Sequence, residues 1–89
     1  MKSGATWPNS VVNQPVLVVT DKKTIPQRFF WYKRWLNVLD VLEQWKDTGR
    51  WWDGENEKVF FRLQVKEGGV YEIFLDMALN QWRLYKVYD

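Results

Sequence analysis

Trp45–Val65, WKDTGRWWDGENEKVFFRLQV, carries three of the chain's seven tryptophans and its most regular alternation. From Lys58 on, Val59, Phe61, Leu63 and Val65 fall on one face and Lys58, Phe60, Arg62, Gln64 and Lys66 on the other, which is the period-two pattern of a half-buried strand. After Glu67-Gly68-Gly69 the alternation resumes with Tyr71, Ile73, Leu75 and Met77. Bringing both apolar sets onto one face of an antiparallel hairpin predicts the pairs Val65 with Tyr71, Leu63 with Ile73, Phe61 with Leu75 and Val59 with Met77. Glu67, Gly68 and Gly69 then form the loop, with Gly69 in the left-handed conformation that glycine adopts at little cost.

Toward the C-terminus, Ala78–Gln81 reads as the turn of a last hairpin that ends in Trp82–Tyr88. The preferred register sets Met77 against Trp82 and Leu75 against Leu84 inside. Asp76 then meets Arg83, and Phe74 meets Tyr85, on the opposite face.

On the N-terminal side, Thr48–Glu57 is a loop opened by Gly49 and turned at Asp53-Gly54, with Trp51-Trp52 between them. Before it, Val38, Val41, Leu42 and Trp45 recur at helical spacing, and Asp40 with Glu43 fits a capping box, so residues 40–48 can be read as a short helix. The β-branched and aromatic content of Trp35–Leu42 favours a long bulged strand instead. Gln27–Leu39 is a hairpin whose strands meet near Tyr32–Arg34, a turn without Gly or Asn. Val16–Thr20 is a first strand and Asp21–Pro26 a polar turn, with Pro26 at the next strand's start or on an edge because it cannot donate to a ladder. Residues 1–14 lack periodicity and read as a flexible tail, leaving residues 15–89 as one β-rich domain. The expected fold is all-β, or β-rich with one short helix: a small antiparallel sheet of five to six strands, curled or forming a partly open barrel.

A chain of 89 residues hides only a little over ~60% of its unfolded surface, and its sixteen aromatics must supply much of what is hidden. There is no cysteine, hence no disulfide or thiolate metal site, and a reducing cytoplasm is the expected compartment. No apolar run approaches the ~20 residues that span a bilayer, and the N-terminus lacks a charged-then-apolar signal layout, so no membrane partner is expected.

Net charge is only +2, but it is unevenly spread. Lys22, Lys23, Arg28, Lys33 and Arg34 lie between Lys22 and Leu39 with no acid among them, whereas from Lys46 on seven basic residues meet eight acidic ones. An anion is therefore expected at the first hairpin.

Catalytic signatures are absent. Histidine and cysteine are missing, Ser3 and Ser10 sit in the tail, and the cluster Asp53, Glu55, Glu57 lacks the spacing of a calcium loop. No cofactor, metal site or enzymatic activity is expected, although a carboxylate-dependent hydrolase using Asp53 and Glu55 is the reading that would need one. The stronger signal is a run of rings interleaved with cations, Arg28-Phe29-Phe30-Trp31-Tyr32-Lys33-Arg34-Trp35. Single-stranded nucleic acid is held by stacking on exposed rings while cations track phosphates. In a two-stranded hairpin half of these rings must face the core, so alternating core and snorkelling cation is the competing explanation. The opposite face of the later strands, with Phe60, Arg62, Phe74, Arg83 and Tyr85, offers a second surface of the kind that docks proteins.

Phe30-Trp31, Val41-Leu42-Glu43-x-Trp45, Gly49-Arg50-Trp51-Trp52, Phe61-Arg62-Leu63, Gly69-Val70-Tyr71-Glu72-Ile73-Phe74-x-Asp76 and the ending Trp82-Arg83-Leu84-Tyr85-x-Val87-Tyr88-Asp89 resemble a small uncharacterised bacterial domain. That domain is found beside or fused to Y-family translesion DNA polymerases. The resemblance implies an accessory role in DNA repair or damage-tolerant synthesis, and it brings no catalytic residues. At the first turn, where relatives tend to place a glycine, this chain has Tyr32-Lys33-Arg34. The resulting expectation is a non-enzymatic module with Lys22, Lys23, Arg28, Lys33 and Arg34 on DNA phosphates and Trp31, Trp35 or Trp52 stacking on bases. The alternative is a domain that docks onto a polymerase through Phe60, Arg62, Phe74, Arg83 and Tyr85.

Overall fold

The computed structural model describes residues 9–49 and 54–88. Its elements are β1 (Asn9–Pro15), β2 (Leu17–Thr20), β3 (Pro26–Trp31), β4 (Arg34–Asp47), β5 (Lys58–Val65), β6 (Val70–Asp76) and β7 (Gln81–Tyr88). They form one antiparallel sheet in the order β1-β7-β6-β5-β4-β3-β2. Only Val16 separates β1 from β2, yet these strands stand at opposite ends of that order, so the sheet must curl until its edges approach. The Val16 N–H donates to the Trp82 carbonyl at 3.2 Å, continuing the β1–β7 ladder into the link with β2. The result is a curled half-barrel. Among the described residues there is no helix, and therefore none long and apolar enough to cross a membrane.

The sheet has seven strands rather than five or six, and the additional one is β1, in the span predicted as a tail. It pairs with β7 from Asn9–Tyr88 to Pro15–Arg83, with a register shift between Val11 and Gln14. That irregularity breaks the alternation that would have revealed a strand. Asn13, at φ 52°, sits within it, and its side-chain and main-chain oxygens accept from Arg83 Nε and Nη2 at 2.9 and 2.7 Å.

Residues 40–48 are not helical, since β4 runs through to Asp47. Its register against β5 shifts between Val38 and Asp40 and again between Val41 and Glu43, which makes Leu39 and Leu42 the inserted residues. Both are exposed. Of the residues at helical spacing, Val38 and Val41 pack against the core, Leu42 is inserted at the second bulge and Trp45 lies on the opposite face against Phe60, so the bulges produce the helix-like spacing from residues that do not share one face.

The concave face holds the core, with Phe29, Leu36, Leu63, Ile73 and Leu84 fully buried. The faces assigned from the alternation are those observed, except that Met77 is exposed. The pairings differ. β5 and β6 align Phe61 with Ile73 and Leu63 with Tyr71, so the loop is Lys66-Glu67-Gly68, one residue earlier than predicted. Gly68 N–H donates to the Val65 carbonyl and Val65 N–H to the Gly69 carbonyl, with Gly68 and Gly69 at φ 102° and 97°. Glu67 is drawn to β4, where its carboxylate accepts from the Asn37 main-chain N–H and Nδ2 at 2.8 and 2.7 Å.

β6 and β7 align Leu75 with Trp82 and Asp76 with Gln81, again earlier than predicted. Asp76 decides this, because its Oδ1 accepts from the Ala78 and Leu79 N–H groups and starts the turn at Met77. The predicted Asp76–Arg83 pairing is absent, Arg83 having gone to Asn13. Phe74 and Tyr85 still meet edge to face at 6.0 Å, because a register shift between Glu72 and Ile73 brings Tyr85 alongside.

Candidate nucleic-acid interface

The β3–β4 hairpin closes with Trp31 opposite Arg34, leaving Tyr32 and Lys33 as a two-residue turn at φ 52° and 62°. Positive φ at both central positions matches the right-handed twist of the flanking strands, although here neither residue is glycine or asparagine. Phe29 and Leu36 oppose each other and point into the core. Arg28, Phe30 and Trp35 therefore point outward. Phe30 and Trp35 pair directly, edge to face at 5.4 Å, and remain 37% and 39% exposed. The Arg28 guanidinium lies 4.9 Å from the Trp35 ring centroid, a cation–π contact. Leu17 pairs with Phe30 and Val19 with Arg28 from β2, so an exposed row Leu17–Phe30–Trp35 crosses three strands.

At the tip, Trp31 is half-buried against the core. Tyr32 stacks on it with centroids 5.0 Å apart and an interplanar angle of 21°, and is itself 81% exposed. Lys33 and Arg34 adjoin it, both exposed.

Lys22 and Lys23 lie at the far end of β3. Asp21 Oδ1 accepts from the Lys23 and Ile25 N–H groups at 2.8 and 2.9 Å and fixes that turn. Lys23 borders a cavity of about 180 Å³ formed with Val59, Phe61, Leu75 and Met77 at the end of the concave face. The strand between the two turns spans about 17 Å at ~3.3 Å per residue. The five cations therefore form no single patch: Arg28, Lys33 and Arg34 accompany the rings, and Lys22 with Lys23 stand apart. Among the described residues, none of the five is in an ion pair. Trp52 lies outside the described residues, as do Trp51 and Asp53.

The second surface is differently built from its expectation. Phe60 and Phe74 are 8% and 5% exposed rather than open to solvent. Trp45, Phe60 and Phe74 are in register across β4, β5 and β6, with centroid spacings of 5.2 and 5.0 Å, and Tyr85 closes edge-on against Phe60 at 5.6 Å. These rings bury one another. Beside them runs a charged row of alternating sign, Glu43–Arg62–Glu72–Lys86. Arg62 is engaged by both glutamates, at 2.7 and 3.3 Å. Burial opposes its charge, but the nearby Tyr88, Glu72 and Glu43 outweigh that and raise its pKa.

Arg28, Trp31, Lys33, Arg34 and Trp35 all lie on this hairpin, but Trp31 turns toward the core while Arg28 and Trp35 point outward. Phe30 and Tyr32 were read as members of the run but not as contact residues, and Leu17 and Val19 were not singled out from the sequence. The alternation of Arg28 and Phe30 around Phe29 marks the outward pair, whereas Tyr32's prominence depends on the turn taking only two residues.

No curated protein and no solved structure matches the chain. A family model for DUF6504, a domain of unknown function, matches residues 8–89, and the chain belongs to that family.

Proposed function

We propose that this domain is a non-enzymatic, cytoplasmic accessory module that contacts DNA through the β3–β4 hairpin, in the setting of translesion synthesis beside a Y-family polymerase. The observation that carries the reading is the outer side of that hairpin. Arg28 and Lys33 make no ion pair among the described residues and flank the exposed rings of Phe30, Tyr32 and Trp35, with the exposed Arg34 beside them at the turn, where its charge also reaches the Glu67 carboxylate. Exposed cations beside wet rings suit a single strand, whose phosphates and bases need one of each. The polymerase setting is supported by the sequence resemblance alone. A non-enzymatic role is supported by the lack of His and Cys, and by Glu72 and Asp76 being engaged in internal hydrogen bonds.

Titration with single-stranded DNA at two salt concentrations, read by tryptophan fluorescence, tests this. Three phosphate contacts predict a slope of log affinity on log salt of about −2. Charge reversal at Arg28, Lys33 and Arg34 abolishes binding, and a fluorescence signal unmoved at low salt removes the proposal.

The row Leu17–Phe30–Trp35 favours a second reading, docking onto a polymerase surface. Capture of the polymerase that survives the same charge reversal but is lost in Phe30→Ser separates the two.

A further inference from the structure

We propose that the tip of the β3–β4 hairpin is a stacking head for an open nucleobase face, with Tyr32 as the ring that meets the base and Lys33 and Arg34 on the flanking phosphates. This rests on the DNA-contacting reading above and goes beyond it by naming the contact and the kind of DNA it selects.

Two independent observations lead to Tyr32. The first is its conformation. Tyr32 and Lys33 both occupy the left-handed region, which side chains other than Gly, Asn and Asp avoid. A turn built only to join β3 to β4 is better made with Asn-Gly. Such unfavourable backbone persists where surrounding structure holds it, and it clusters at binding sites. Here the flanking ladder, from Arg28–Asn37 to Trp31–Arg34, does the holding.

The second is the ring itself. Tyr32 lies nearly parallel to Trp31, which is anchored against the core, yet stays largely in water. One face is backed by the indole and the other is open. A large wet ring on a rigid backing needs little ordering when a base arrives on its free face.

The geometry also selects the ligand. A base inside a duplex has both faces covered by its neighbours, so only an unpaired base or the terminal pair of a blunt end offers a free face. The two share one chemistry, an uncovered aromatic face next to a phosphate.

The test uses the full chain with a short oligothymidylate, a blunt duplex and a closed circular duplex. Tyr32→Asn suits the left-handed position and keeps the turn, so its thermal midpoint is unchanged or higher. Its affinity for oligothymidylate falls about five- to a hundredfold, the size of one base–aromatic stack. Tyr32→Phe stays within about twofold of wild type, since stacking does not need the hydroxyl. Binding to the circular duplex is the same in all three proteins. A blunt duplex weakened by Tyr32→Asn assigns the terminal pair as well, and one unaffected restricts the head to unpaired bases.

If Tyr32→Asn binds oligothymidylate as tightly as wild type while Lys33→Gln with Arg34→Gln weakens it, the stacking head is wrong and DNA contact stands. If wild type binds none of the three at low salt, the DNA reading itself falls.

Discussion

Arg62 and Glu72 stand opposite each other on β5 and β6, and the guanidinium Nε and Nη2 both donate to one carboxylate oxygen, Oε2, at 3.3 Å. The Tyr88 hydroxyl donates to the same oxygen at 2.9 Å. Glu72 is only 2% exposed, so its charge depends on these donors. Burial raises the Tyr88 pKa, and its hydrogen bond to Glu72 raises it further.

Arg62→Met should therefore leave a buried carboxylate with a phenol as its remaining donor among these contacts. The expected destabilisation is about 1–2 kcal/mol, the low end for a bond to a charged group because Arg62 is itself partly in water. Glu43→Gln, at the exposed end of the same row, should lose less than about 1 kcal/mol. Urea unfolding midpoints compare the two.

The hairpin tip gives a gain instead. Lys33 sits at φ 62°, so Lys33→Gly removes a left-handed penalty of about 1 kcal/mol and should raise the thermal midpoint by several degrees. A midpoint lowered by the substitution would mean that the turn does not adopt this conformation in solution.

Asp76 carries a pH dependence. Burial disfavours its charged form, but hydrogen bonds from Asn56 Nδ2 and from the Leu79 and Ala78 N–H groups, with Lys58 nearby, outweigh that and hold its pKa below the usual aspartate value. A depressed folded-state pKa contributes stability that is present above the unfolded value of about 4 and is lost as pH falls through the folded one. Asp76→Asn should reduce stability at neutral pH by about 1–2 kcal/mol. It should also flatten the decline below about pH 4, leaving the part that belongs to Glu67, whose pKa its bonds to Asn37 also lower. Denaturant unfolding across that range reads both effects.

The bulges of β4 make a contrast between leucines. Leu63 is fully buried, and Leu63→Ala should destabilise by about 2–5 kcal/mol. Leu39 is an inserted, exposed residue, and Leu39→Ala should change stability by less than about 0.5 kcal/mol. A comparable loss at both would place Leu39 in the core and contradict the bulge.

Sequence alone determined the inward faces of β5 and β6, because side chains alternate strictly and a slip by one residue would turn Leu63 and Ile73 to water. It could not decide between registers that differ by two, since both keep the same faces. Hydrogen bonds at the turns made that choice: Asp76 on the Ala78 and Leu79 amides, and Glu67 on Asn37, thirty residues away. The run of basic and aromatic residues in the first hairpin was likewise legible as a pattern. Which rings stay wet was not, because Phe60 and Phe74 are covered by neighbours from other strands, whereas Tyr32 stacks on Trp31 and stays 81% exposed. Burial of that kind belongs to strand order and curvature, which local periodicity does not encode.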